Sequence, residues 1–264
     1  MATVSAAKMR MRVLYGTGNA GKYAEASHVF KRADNVARAD VVLTQVDFDT
    51  TEIQGNHEEI SVRKCTEMAS ASVAMHAGQD FLLVEDVSLE LEALNSFPGP
   101  YCKAMLEAIG PSGLWDLMSR YDNRRARVTC TVGAMDLLGR HWGEREVQIF
   151  SGSIHGVIVA PKGDVQHGKA SWNSVFLPDG YDKTFGELQF HEQAEMSHRR
   201  IALERFLDVV CESKLLDSET NIRKPTCCHR DERVRIPLCS RKEPTFEIRR
   251  RHSTRPSSVW NLSC

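Results

Sequence analysis

Leu14-Tyr15-Gly16-Thr17-Gly18-Asn19-Ala20-Gly21-Lys22 is the stretch on which the reading of this chain turns. An apolar run enters a glycine-rich turn that ends in one lysine and opens into a helical pattern, the outline of a β-α unit. Glycines allow the backbone to approach an anion closely, a helix N-terminus aims free N–H groups at it, and the lysine adds a point charge. The implied ligand is a nucleotide. Gly16-x4-Gly21-Lys22 also satisfies most of the P-loop pattern, but Tyr23 stands where that loop needs a Ser or Thr hydroxyl for magnesium. A tight strand-to-helix connection with no ligand would use the same glycines, so the rest of the chain has to decide.

Outward from this turn, residues 11–16 read as a buried strand and Ala20 to Arg32 as a helix packed through Ala24, Val29 and Phe30. Residues 41–48 alternate like a strand, and residues 59–76 carry Ile60, Met68, Ala71 and Met75 at helical spacing. Phe81 to Val84 reads as a buried strand ending in Glu85-Asp86, followed by a polar loop in which Phe97-Pro98-Gly99-Pro100 stops regular structure. Carboxylates at the C-terminal end of a strand face ligand sites in α/β sheets. Two short helices are expected over residues 101–110 and 113–121, long strands over 127–138 and 144–160, a loop over 161–186, and a last helix over 196–211. The expected fold is α/β: a long mixed central sheet with flanking helices.

Composition narrows the class. With 264 residues, 42% of them hydrophobic, the chain can bury a sizeable core without disulfides or metal. No apolar run approaches the ~20 residues of a membrane span, and residues 1–12 lack a secretory pattern, so a cytoplasmic protein is expected. The eight scattered cysteines suit reduced thiols. The net charge of −1 conceals an asymmetry, because residues 214–264 hold twelve Lys/Arg against six Asp/Glu. That basic stretch is poor in periodic apolar positions and reads as a disordered tail beyond a 1–213 domain. Cys227, Cys228, His229 and Cys239 within it match no common zinc spacing.

Four separated segments combine: Thr17-Gly18-Asn19-Ala20-Gly21-Lys22, Val84-Glu85-Asp86, Phe97-Pro98-Gly99-Pro100-Tyr101-Cys102-Lys103 and Ser197-His198-Arg199. Together they resemble the inosine triphosphate pyrophosphatase family, from about Val13 to Phe206 and including the segments around Lys64 and Trp172. The resemblance implies two lobes around a nucleotide cleft, and hydrolysis of the deaminated purine triphosphates ITP, dITP and XTP to monophosphate and pyrophosphate. It implies a homodimer with no membrane attachment and no need of nucleic acid. Nucleotide contacts fall to Thr17, Gly18, Asn19, Ala20, Gly21, Lys22, Lys64, Asp86, Lys103, Trp172, Asn173, His198 and Arg199. Asp86 is the residue that activates the attacking water, with Glu85 second in line, and Glu52 and Asp86 are the ligands of magnesium, for which manganese can substitute. Such chemistry needs cations for the phosphate oxygens and a metal held by few carboxylates.

Departures from the family pattern bear on specificity. Ala170-Ser171-Trp172-Asn173 stands where the family has aromatic-Gly-Trp-Asp, and Gln193 replaces a lysine. Val87 replaces a hydroxyl residue, although Ser88 adjoins it. A looser base preference follows, with 6-oxopurines still favoured over ATP. Two other readings stand beside this one. A P-loop ATPase or GTPase is suggested by Gly16-x4-Gly21-Lys22 and by the Walker B-like Leu82 to Asp86. A non-catalytic nucleotide- or nucleic-acid-binding protein is suggested by the basic tail.

Overall fold

The computed structural model describes residues 9–35, 39–48, 50–71, 78–143, 145–163 and 170–220. The chain divides into compact units Met1–Arg223 and Lys224–Cys264. The second unit, with Cys227, Cys228, His229 and Cys239, lies outside the described residues.

Each β-α pattern becomes an element close to its expected place. Strand β1 (Met9–Gly16) leads into α1 (Ala20–Asn35), and β2 (Ala39–Val46) into α2 (His57–Ala71). β1 lies parallel to both β2 and β3 (Phe81–Leu91). β5 (Arg125–Asp136), β6 (Val147–Ile158) and the short β7 (Phe176–Pro178) then extend the sheet antiparallel, giving the order β2-β1-β3-β5-β6-β7. The expected mixed sheet is therefore present, flanked by helices.

Four local expectations are corrected. First, β3 does not stop at Glu85-Asp86 but runs on to Leu91, paired with β5 along its whole length. Its later polar residues are matched rather than looped out: Glu90 lies opposite Arg127 of β5 and accepts from its Nε at 2.6 Å. Opposite charges directly across a ladder stabilise it. Second, the proline-rich turn contains a two-residue strand, β4 (Pro98–Gly99), that folds back onto Leu89 and Glu90. Third, residues 161–186 hold β7 (Phe176–Pro178), which closes the far edge on β6. Fourth, a short helix α4 (Phe190–Met196) precedes the last helix, α5 (His198–Thr220). α5 passes Lys214 because neither Gly nor Pro occurs between residues 211 and 220. The two helical patterns on either side of Pro111 form α3 (Cys102–Met118), broken at Gly110, whose φ of 66° is outside helical space. Proline disfavours helix in the residue before it and suits the first turn of the next.

Alternation along the strands sorts the core. Phe81 and Leu83 of β3 join Val13, Tyr15, Cys130 and Val132 beneath α1 and α5, where Phe206 and Leu207 complete one cluster. Leu82 and Val84 face the other way, onto Cys65 and Met68 of α2. Farther along, Leu89 and Leu91 enter a separate cluster with Leu106, Leu114, Val128, Ile154, Trp172 and Phe176. Two lobes thus share the long strands β3, β5 and β6, and residues 85–88 cross between them. The described cysteines, Cys65, Cys102, Cys130 and Cys211, are free thiols.

α5 seats closely on β6 only because position 152 is glycine. A Cβ there would overlap His198 O and Ala202 N and lie 2.7 Å from Ile201 Cβ. We expect Gly152→Ala to displace the first turn of α5, lowering the melting temperature and the turnover together; unchanged values of both would contradict this packing. Between the lobes, Glu90 also meets His57 Nε2 at 3.0 Å and accepts from Ser88 Oγ at 2.7 Å. Burial opposes its charge, but the bonds from His57, Arg127 and Ser88 prevail and bring its pKa down to about 2. A carboxyl held below its unfolded value of 4.5 stabilises the fold above that pH, and this contribution disappears as pH falls toward about 2. Glu90→Gln should therefore lose ~1–3 kcal/mol at neutral pH, with the gap from wild type narrowing in melts taken from pH 5 down to pH 2. A gap that stays constant over that range would contradict the assignment.

Candidate active site

A gap in the sheet edge creates the site. β1 accompanies β3 only from Val13↔Phe81 to Gly16↔Val84, while β4 begins opposite Leu89. Between them β3 has no neighbour on that side among the described residues, and a cavity of about 320 Å³ opens there. The turn after β1 forms one rim and the turn around Pro100 to Lys103 another.

The first rim is organised by its own side chains. Thr17 Oγ1 accepts from Asn19 N at 3.1 Å, and Asn19 Oδ1 accepts from Lys22 N at 3.1 Å, capping α1. Gly18 is required by close approach, since a Cβ there would collide with the Asp47 carboxylate. Asn19 and Lys22 line the cavity, whereas Thr17, Gly18, Ala20 and Gly21 support them in the turn. Tyr23 donates its hydroxyl to Leu43 O at 3.2 Å, pointing into the packing against β2. The position after Lys22 thus offers no hydroxyl for a metal, and the P-loop reading finds no support.

Adjacent residues of β3 project to opposite faces. Glu85 points toward α5, accepting two bonds of 2.7 Å from Arg199 Nε and Nη2, and lies 3.2 Å from Lys22 Nζ. The Tyr15 hydroxyl donates to the same carboxylate. Burial first, and then Glu85, hold the Tyr15 pKa well above its usual 10.0, so the phenol keeps its proton. The third Arg199 donor, Nη1, goes to Glu25 of α1. Arg199 therefore meets anions supplied by the protein, which explains a cation in the electrostatically unfavourable first turn of α5. Ser197 Oγ caps that turn, accepting from Arg199 N at 3.0 Å.

Asp86 points toward α2, where Lys64 Nζ donates to Oδ1 at 2.8 Å; Glu52 Oε2 is 3.6 Å from the same ammonium. Burial opposes charge on Lys64, yet Asp86 and then Glu52 raise its pKa above the ordinary 10.5. Asp86 Oδ2 is buried with no hydrogen-bond partner among the described residues. With Glu85 saturated, Asp86 is the carboxylate of the pair with an uncommitted oxygen at the cavity. Lys103, exposed at the start of α3, also borders the cavity beside Cys102, whose thiol donates to Val87 O at 3.3 Å.

The remaining polar and aromatic side chains of the lining carry no charge. Trp172 packs against Phe185 at 5.2 Å and His198 at 5.6 Å between ring centroids, and Ser171, Asn173 and Gln193 join the lining. Gln193 Nε2 donates to Phe185 O at 2.7 Å and Leu188 O at 3.1 Å. His198 is buried with neither ring nitrogen bonded among the described residues, and burial reinforced by Lys22 pushes its pKa down to about 3. A neutral imidazole is thus ready to donate and accept one hydrogen bond each.

Of the residues expected at the site, Asn19, Lys22, Glu52, Lys64, Asp86, Lys103, Trp172, Asn173, His198 and Arg199 converge on this one cavity. Sequence reasoning overlooked Glu25, a buried carboxylate whose Oε1 has no partner among the described residues. Its signal was the i+3 spacing from Lys22, which places both on one helix face. No group of three or more metal-type side chains occurs among the described residues. Glu52 and Asp86 nevertheless fit a magnesium-type ion, which takes one or two carboxylates and completes its shell with water and phosphate; the bare Asp86 Oδ2 supplies the acceptor.

Residues 13–209 match the model of the Ham1 family. The chain is 36% identical over 203 residues to a dITP/XTP pyrophosphatase of Methanopyrus kandleri, covering 75% of this chain and 95% of that protein. It is 32% identical to the inosine triphosphate pyrophosphatase of Schizosaccharomyces pombe, covering 79% and 97%. Among solved structures, a Ham1 protein from Coxiella burnetii shares the fold with a TM-score of 0.58 at 20% identity, over 76% of this chain and 99% of that one. A family model spanning the glycine-rich turn, both central carboxylates and the Ser-His-Arg turn, together with relatives matched nearly end to end, settles the kinship: this chain belongs to the Ham1 family.

Proposed function

We propose that this protein hydrolyses ITP, dITP and XTP to the nucleoside monophosphate and pyrophosphate, removing deaminated purines from the nucleotide pool. The observation that carries this reading is the composition of the cavity, which brings Lys22, Lys64, Lys103 and the carboxylates Glu52 and Asp86 together with aromatic and neutral hydrogen-bonding side chains, Trp172, Asn173 and His198. A triphosphate with a 6-oxopurine base combines the two matching parts. The dITP/XTP and inosine triphosphate activities named for the relatives agree with it.

In this reading, Lys22, Lys64 and Lys103 neutralise the phosphate oxygens while the turn from Thr17 to Lys22 cradles the chain of phosphates. Asp86 takes a proton from water; the water oxygen bonds to the α-phosphorus and the bond to the β-phosphate bridging oxygen breaks, releasing pyrophosphate. Glu52 and Asp86 would hold magnesium, or manganese in its place, and the ion would offset charge developing on the phosphate oxygens. Glu85 positions Arg199 and is not the base. Trp172 offers an aromatic face, and His198 with Asn173 reads the base edge. A purine bearing an amino group at C6 leaves such groups mispaired, at ~1–3 kcal/mol each. Catalysis belongs to residues 1–213, with residues 214–264 outside it, in a cytoplasmic homodimer.

We expect Asp86→Asn to lower turnover ~10²–10⁴-fold while its melting curve stays close to that of wild type; near-normal turnover would exclude Asp86 as the base. From ITP, chromatography should recover IMP and pyrophosphate, and hydrolysis in oxygen-18 water should place the label on IMP. Release of IDP and orthophosphate would overturn the reaction.

A further inference from the structure

Lys22 and Lys64 both line the cavity, but they stand differently toward the acids beside them. Lys22 lies 3.2 Å from Glu85, which also holds Nε and Nη2 of Arg199 and the Tyr15 hydroxyl, so this carboxylate stays matched when Lys22 turns elsewhere. Lys64 has no such relief. Its Nζ lies 2.8 Å from Asp86 Oδ1 and 3.6 Å from Glu52 Oε2, bridging the two carboxylates. Among the described residues no other cation pairs with either of them. The side chains of Lys64 and Asp86 are each only 14% exposed.

An ammonium leaving this position would strand Asp86 as a poorly solvated anion without a countercharge, which is strongly unfavourable. Asp86 cannot follow it, because β3 is paired with β5 at Asp86↔Thr131. Lys64 can swing, on a flexible four-carbon stem at the cavity wall. Its departure therefore requires a new cation for the carboxylates and a new anion for the ammonium together. A divalent ion chelated to a polyphosphate brings both. A divalent ion alone brings only the first, and it meets Lys64 at the same two carboxylates as a like charge.

We propose that Lys64 is the resident counter-cation of Glu52 and Asp86 and gives way to a divalent ion only when nucleotide phosphates receive its ammonium, so that metal and nucleotide bind as one unit and metal alone binds weakly. The proposal rests on the function proposed above and gives Lys64 a second task, keeping the two carboxylates closed to free cations until substrate is present.

The test is calorimetric titration of the full-length protein with Mn2+ alone and with Mn2+ bound to an ITP analogue carrying an imido bridge between the α- and β-phosphorus. Lys64→Met should bind Mn2+ alone ~5–150-fold more tightly than wild type and the Mn2+–analogue complex more weakly, opposite signs from one substitution. Lys103 lines the same cavity but pairs with neither carboxylate among the described residues, so Lys103→Met should weaken the complex and leave the affinity for Mn2+ alone unchanged. Equal Mn2+ affinity in wild type and Lys64→Met overturns the proposal, while pyrophosphate release from ITP would keep the proposed function intact. Weaker binding of both ligands by Lys64→Met shows a structural role alone and overturns it too. Failure of the complex to bind wild type overturns the proposal together with the function on which it rests. Should Lys64→Met not fold, wild-type melting decides: Mn2+ alone should leave the melting temperature in place and raise it once the analogue is present, and a comparable rise with Mn2+ alone overturns the proposal.

Discussion

The buried pair between Glu85 and Arg199 is the constraint on which the rest of the molecule depends. Buried charges are tolerated only when paired and hydrogen-bonded. Here one carboxylate gathers a bidentate guanidinium from α5, an ammonium from α1 and a phenol from β1. The elements that carry the glycine-rich turn after β1 and the Ser197-His198-Arg199 turn are thereby fixed to the same strand. Glu25, holding the remaining arm of Arg199, binds α1 to α5 a second time. Removing one member strands the others as unpaired buried charges, an effect on the order of 3–5 kcal/mol, so stability and the geometry of the site cannot be varied separately at these positions.

Pleating gives β3 a division of labour. Neighbouring strand residues face opposite sides, so Glu85 is committed to the frame beneath α5 while Asp86 reaches the α2 side with one oxygen unpartnered among the described residues. The departure of β1 at Gly16 and the late start of β4 leave both carboxylates next to a stretch of edge with no strand partner among the described residues. Ligand access comes from the backbone path, and no strand had to be broken to provide it.

The β-α units were legible because apolar periodicity and glycine punctuation agree there. The length of β3 was not, because Glu85, Asp86, Ser88 and Glu90 look like loop residues until Arg127 and Lys64 arrive from distant sequence to compensate them. β7 and α4 were missed because each is short and sits among glycines and polar residues that carry no period. Lys64 and Lys103 resembled solvated helix positions, and only the family resemblance directed them to the cavity. Glu25 was overlooked for the same reason, although its spacing from Lys22 was visible. The opposing anions that make Arg199 reasonable at a helix start were beyond any local reading.

The two lobes hold their cores on the same three strands, with Phe81 and Leu83 in one cluster and Leu89 and Leu91 of that strand in another. Continuous strands do not bend about a point in the way a linker does, and breaking one would expose paired backbone on both sides. The floor of the nucleotide cleft is consequently a rigid beam. Accommodation of ligands of different size falls to the rims, where turns rather than ladders carry the side chains, and the halves of the molecule must melt as one cooperative body.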